Sequence, residues 1–161
     1  MTKEQLNALL REAEKLHGRK VLSETAGPDW YEPGQMEYLS ESEGVYDAKQ
    51  HTLLLRFESR GTRYDGRTER IENVRKGDVL RLERDPENPY NANNFRILTE
   101  KGQDVGNLPA ELCNVIAPLY DEGSLSIESV TVSFVEPISR RSRHARQAVL
   151  FAEMRCQLKT E

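Results

Sequence analysis

The sequence predicts a mainly β fold with minor α: a small OB-like or SH3-like β-barrel with one covering helix and an N-terminal helical extension. Hydrophobic residues alternate with a period of two in several short segments between residues 52 and 158, the pattern of strands with one buried face. A single stretch among those segments, residues 109–120, has helical spacing, whereas a parallel α/β sheet would alternate helices with strands. At 161 residues the chain suits one domain with one core, removing about two-thirds of its unfolded surface from water.

In chain order, Thr2 followed by Gln5 reads as a capping box, and Leu6, Leu9, Leu10, Ala13 and Leu16 recur at helical spacing up to Gly18. A helix is expected over residues 3–17, with a charged outer face that makes it an arm packing on the barrel or on a partner. Residues 28–44 are rich in Pro, Gly, Ser and acids around Trp30, Tyr31 and Tyr38, a composition expected of an ordered loop. Thr52, Leu54 and Arg56 then oppose Leu53, Leu55 and Phe57, and residues 78–84 alternate after a Lys-Gly turn; both read as strands. Residues 95–99, 103–105, 127–135 and 148–158 are further strand candidates. Val130, Val132 and Phe134 are expected on one face, as are Leu150, Ala152, Met154, Cys156 and Leu158. In the helical stretch, Leu112, Val115, Ile116 and Leu119 form an apolar stripe after Pro109, and Pro118 should bend or end the helix. The chain divides into a helix and acidic aromatic loop over 1–50 and a barrel over 51–161.

Composition narrows the function. With 37% hydrophobic and 31% charged residues and a mean hydropathy of −0.73, the surface is heavily charged, yet apolar residues are too many for a disordered chain. The longest apolar run, residues 148–152, falls far short of the ~20 residues of a membrane-spanning helix, and the N-terminus lacks the apolar stretch of a signal peptide. A cytoplasmic protein without membrane contact is expected. Cys113 and Cys156 sit in apolar patterns, so buried free thiols are expected rather than a disulfide. His17, His51 and His144 are far apart, and neither cysteine has a second ligand at zinc spacing; no metal and no cofactor is expected. The chain lacks G-x-S-x-G, a phosphate-binding glycine loop, a dinucleotide fingerprint and H-E-x-x-H, so no catalytic residue is assigned and the expectation is no enzyme. Acid pairs such as Asp121 with Glu122 read as groups that solvate a turn.

Lys plus Arg total 23 against 27 Asp plus Glu, a net charge of −4, which argues against whole-surface binding to nucleic acid or anionic lipid. The charges are segregated. Residues 22–48 hold seven acids and no base, residues 56–84 hold nine bases against six acids, and residues 139–147 hold Arg140, Arg141, Arg143 and Arg146 with no acid. Such segregation permits a local anion-binding face on an acidic protein.

The stretch from Lys76 to Phe134 is the most informative. It contains KGDVLRLERDPENPYNANNFRI, then GQDVGNLPAEL, then IAPLYDEG, then a valine-rich strand. These blocks resemble, in order, the pattern of the HIRAN domain: a G-D strand, an R-x-P-x-N-P-Y-D-x-N-A turn, a strand, V-G-Y-L-P opening a helix and a P-L-L-x-x-G exit. Arg63, Tyr64, Asp65 and Gly66 are similar to the family's R-Y-Y-D-G segment. The resemblance covers about residues 53–134, with the last strand at 148–158.

HIRAN domains occur in Snf2-family translocases and, in bacteria, alone or fused to nucleases and helicases. The resemblance implies a small barrel that binds single-stranded DNA at a free 3' end. By position, Arg63 and Tyr64 would line the groove, Tyr90 would offer a ring to a base, and Asn91 would stand where an acid receives the terminal hydroxyl. Asn107 would sit where the family has an aromatic residue or histidine. Charge alone adds Arg140, Arg141, Arg143 and Arg146. Departures from the pattern fall at Asn91, Asn94, Phe95, Asn107 and Ala110; an amide at 91 removes a charge-assisted acceptor. The expected function is a non-catalytic single-stranded DNA-binding module, at 3' ends, in DNA repair, replication or mobile-element processes. The alternative is a protein–protein interaction module that docks a helicase or nuclease and has lost DNA-end recognition.

Overall fold

The computed structural model describes residues 1–2, 4–6, 8–10, 12, 45–47 and 50–159. Among them, strands β1 (Val45–Asp47), β2 (Thr52–Glu58), β3 (Val79–Arg84), β4 (Phe95–Thr99), β5 (Asp104–Asn107), β6 (Leu125–Glu136) and β7 (Val149–Leu158) form one sheet in the order β1-β2-β7-β6-β3-β4-β5. Every neighbouring pair is antiparallel. Alternation sets the faces: in β2, Leu53, Leu55 and Phe57 are buried while the residues between them are half-buried. The sheet curls until β5 meets the chain that leaves β2. Arg60, just past β2, exchanges two backbone hydrogen bonds with Asn107 of β5, of 2.8 and 2.9 Å. Gly106 makes that closure possible, because at its φ of +139° a Cβ would lie 1.8 Å from Ser59 Oγ and 2.9 Å from the Arg60 carbonyl oxygen. Only a residue without a side chain lets the two backbones approach this closely.

The curl turns the apolar faces of β2, β4, β6 and β7 onto one core, which helix α2 (Ala110–Asp121) covers with Leu112, Ile116 and Leu119. The mainly β barrel with one covering helix is therefore the fold. The helix starts one residue later than expected, with Pro109 flanking it, and Pro118 does not end it. A proline this near the C-terminus forfeits only one bond of the ladder, and the Glu122 N–H still donates to the Pro118 carbonyl at 3.1 Å. Cys113 and Cys156 are buried free thiols. Burial pushes the Cys113 thiol up to about 11 and the Cys156 thiol up to about 12, so both remain protonated packing groups.

Strict alternation fails in β6. Register shifts interrupt its pairing with β7 between Ile127 and Ser129 and between Val132 and Phe134. The second shift inserts a residue, so Val135 rather than Phe134 continues the core face of Val130 and Val132. Phe134 instead packs on the opposite face with Val149 and Phe151, its ring edge-on to Phe151 at 5.9 Å. Three elements were not legible as such: β1, which pairs with β2, the 3-10 turn Ile138–Arg140, and the short helix α1 (Arg67–Ile71). Five residues are too few to show a helical period.

At the N-terminus the capping box forms as expected: the Thr2 N–H donates to Gln5 Oε1 at 2.8 Å and the Gln5 N–H to Thr2 Oγ1 at 3.1 Å. Residues 4–6, 8–10 and 12 are helical. Leu9 is fully buried in the barrel's core, with Leu6 and Leu10 packed against it, so the arm lies on this barrel. Leu16, the rest of the expected helix and the loop of Trp30, Tyr31 and Tyr38 fall outside the described residues. Among the described residues no helix is long and apolar enough to cross a membrane.

Candidate nucleic-acid interface

The loop between β3 and β4, residues 85–94, is built by side chains. Arg84, at the end of β3, donates from Nε and Nη2 to the two Asp121 carboxylate oxygens at 3.0 and 3.1 Å, and from Nη1 to the carbonyls of Ala92 and Asn94 at 3.1 and 2.8 Å. Its guanidinium also lies 5.3 Å from the centroid of the Phe95 ring. One arginine thus ties the loop to the end of α2, and Asp121 is a clamp rather than a group that solvates a turn. Inside the loop, Asn88 Oδ1 accepts the N–H groups of Tyr90 and Asn91 at 2.9 and 3.0 Å, and its Nδ2 donates to Asp85 Oδ2 at 3.1 Å. This asparagine turn needs no regular structure to hold its shape. Burial raises the Asp85 pKa, but hydrogen bonds from Asn88 and Asn94, with the charges of Arg96 and Arg84, outweigh it and lower the value on balance.

The result is a groove of about 350 Å3 between this loop, the closing turn and the start of α2, lined by Arg60, Asn88, Tyr90, Asn91, Asn94, Asn107, Leu108, Ala110 and Glu111. Tyr90 is 95% exposed, so its ring does no packing in the barrel. Asn91 and Asn107 line the same groove. Asn91 is already engaged: its Oδ1 accepts the Asn93 N–H at 2.9 Å and its Nδ2 donates to Asn114 Oδ1 of α2 at 3.1 Å. Arg60, Asn88, Leu108 and Glu111 were missed. Arg60 enters only because residues 47 positions apart in sequence pair to close the barrel, a signal no local pattern carries.

Arg63 and Tyr64 lie in the turn that follows Arg60 and are not among the groove's lining residues. Both are exposed, with the Arg63 guanidinium 5.8 Å from the Tyr64 ring centroid. The turn is held from below. Arg67, 7% exposed, donates from Nε and Nη2 to the Asp104 carboxylate at 3.1 Å each and from Nη1 to the Gly61 carbonyl at 3.1 Å.

The 139–147 loop is fastened at its ends. Glu72, just past α1, accepts from the Ser139 N–H and hydroxyl at 3.0 and 2.9 Å. At the other end the Ala148 carbonyl accepts from Thr62 Oγ1 at 2.8 Å, and the Ala148 N–H donates to Thr68 Oγ1 at 3.2 Å. The loop therefore adjoins the turn of Arg63 and Tyr64, although none of its arginines lines the groove. Arg141 is half-buried and its Nη1 holds the Gln147 carbonyl at 2.5 Å, which makes it a brace. Arg140, Arg143 and Arg146 are exposed and pair with no carboxylate among the described residues. Among those residues no group of three His, Cys, Asp or Glu side chains is placed to hold a metal ion.

A curled antiparallel barrel with one covering helix is the fold the sequence blocks implied, and the HIRAN domain family model matches residues 53–149. The chain belongs to the HIRAN domain family. The HIRAN fold is also that of a protein from Lactobacillus plantarum, 18% identical, with a TM-score of 0.52 over 66% of this chain and 96% of that one. In sequence, the human helicase-like transcription factor is 35% identical over 57 residues, which are 35% of this chain and 6% of that protein. The match thus spans a small part of that relative's length. The HIRAN domain of HLTF in its DNA-bound conformation is 23% identical, over 66% of this chain and 76% of that one, with a TM-score of 0.45.

Proposed function

We propose that this HIRAN barrel is a non-catalytic module that binds single-stranded DNA, including 3' ends, and that residues 51–161 are its binding unit. The observation that carries the reading is Tyr90: a ring 95% exposed, on a loop whose side chains fix its shape, beside a groove that Arg60 shares. Burial gains nothing from such a ring, whereas a base stacked on it gains ~1 to 3 kcal/mol whatever its identity. Family membership supports the choice of ligand, since the HLTF HIRAN domain has a DNA-bound conformation. In this reading Arg60 and Arg63 meet phosphates, Tyr64 and Tyr90 offer rings, and Asn91 and Asn107 border the strand. Arg140, Arg143 and Arg146, braced by Arg141, extend the positive field. The setting we propose is cytoplasmic, in DNA repair, replication or mobile-element processes.

A salt-titrated binding assay with labelled single strands bearing free or phosphorylated 3' ends tests this. Affinity should fall as salt rises. Because the amide of Asn91 lacks a carboxylate's charge, the two ends should differ by less than about tenfold. No affinity for any single strand at low salt would overturn the reading. A protein-docking module for a helicase or nuclease would then take its place, an alternative favoured by the engagement of both Asn91 amide atoms within the protein.

A further inference from the structure

A chain of polar side chains with a fixed direction leads from Asp85 into the groove. Asp85 Oδ2 accepts from Asn94 Nδ2 at 3.1 Å, and Asn94 Nδ2 also donates to Asn107 Oδ1 at 3.0 Å. A carboxylate that is ionised only accepts, so Asn94, 6% exposed, must turn its NH2 toward Asp85. Its second N–H then dictates that Asn107 turn its oxygen inward. Asn107 Nδ2 faces the other way, with no hydrogen-bond partner among the described residues, on the side where a Cβ at Gly61 would lie 3.4 Å from it. Asn88 cannot reverse the chain, because its own oxygen is held by two backbone N–H groups.

Resting on the strand-binding reading, we infer that Asp85 and Asn94 are positioning residues that fix Asn107 as a hydrogen-bond donor to a carbonyl oxygen of the base stacked on Tyr90. A base carbonyl is the better match than a phosphate oxygen. Arg60 shares the groove, and a guanidinium outcompetes a neutral amide for a phosphate. The two asparagines that depart from the family pattern at 94 and 107 are thus one device, since Asn94, itself oriented by Asp85, orients Asn107.

The test removes the donor and its support separately, with no change of net charge. Asn107→Leu takes the side-chain donor away and should bind a labelled oligothymidylate about tenfold more weakly than wild type, the effect of one lost hydrogen bond. Asn94→Leu cuts the link to Asp85 and leaves the Asn107 amide free to turn, so it should cost part of that factor, and Asn107→Leu should cost less in the Asn94→Leu background than in wild type. With an abasic strand of the same length both variants and wild type should bind alike. Wild-type affinity in either single variant, an equal cost of Asn107→Leu in both backgrounds, or persistence of the loss on the abasic strand overturns the inference alone. Absence of any binding by wild type overturns the strand-binding reading and the inference with it. Should the variants not fold, NMR of wild type decides: saturating oligothymidylate should shift the side-chain amide signal of Asn107 and leave that of Asn94 in place, and an unmoved Asn107 signal overturns the inference.

Discussion

The loops at 85–94 and 139–147 both carry expected contact residues, but they are built oppositely. The first contains neither lysine nor arginine, and its shape is set by Arg84 reaching in from β3, Asn88, Asn91 and Asn94. The second holds four arginines, and apart from Arg141 its side-chain anchors lie at its ends, on Glu72, Thr62 and Thr68. A loop held by its own side chains can present one ring and one amide in a set geometry. A loop held at its ends contributes charge, which acts at a distance and needs no geometry. In the proposed reading, an acidic protein of net charge −4 divides strand recognition between a shaped groove and a separate local field.

The largest effect that would break this contrast is on stability. Arg84→Ala removes the Asp121 clamp and leaves the carbonyls of Ala92 and Asn94 without their donor, so thermal or urea unfolding should register a loss of ~1 to 3 kcal/mol. A loss below half a unit on that scale would mean that the loop holds itself without the clamp. Next, Tyr90→Ala should leave the unfolding midpoint unchanged, because the ring is exposed, and weaken single-strand binding by ~1 to 3 kcal/mol with little sequence dependence. Arg143→Ala sharpens the other side. Its affinity loss at moderate salt should be small, but the slope of log affinity against log salt should shrink by about one. An unchanged slope would remove the 139–147 loop from the interface.

The smallest effect is on pH dependence. Asp85 is held below its ordinary value of 3.8 in the folded state, so its stabilising contribution is complete above that value and is lost as pH falls through the lower, folded one. Melting temperatures followed into acid should decline more steeply for wild type than for Asp85→Asn. Parallel decline would show that the carboxylate is not what holds Asn88 and Asn94.

Alternation and helical spacing were enough to read β2, β3, β4, β7 and α2 from the sequence, because the face that each turns to the core repeats with the period of its element. The Thr2–Gln5 capping box was equally legible, since both partners lie within one turn. Bulges in β6 broke the same reading at Phe134, because one inserted residue exchanges the faces without leaving a mark in the residue types. Of the groove, Tyr90, Asn91 and Asn107 could be named from the family's motif blocks. Nothing in those blocks distinguishes an asparagine that holds a loop from one that meets a ligand.

The sequence by itself determined the class of fold, the covering helix, the N-P-Y loop and the segregation of charge, all of which depend on residues near one another along the chain. Tertiary structure alone decided which arginines are spent inside. Arg67 and Arg84 are consumed by Asp104 and Asp121, each 37 residues away, while Arg60 comes to the groove through its pairing with Asn107. It also decided the direction in which the Asn107 amide points, through Asp85 and Asn94. Hydrogen bonds and ion pairs are formed in space between partners that closure of the barrel brings together, and until the barrel closes every arginine and every asparagine in the chain has the same chemistry.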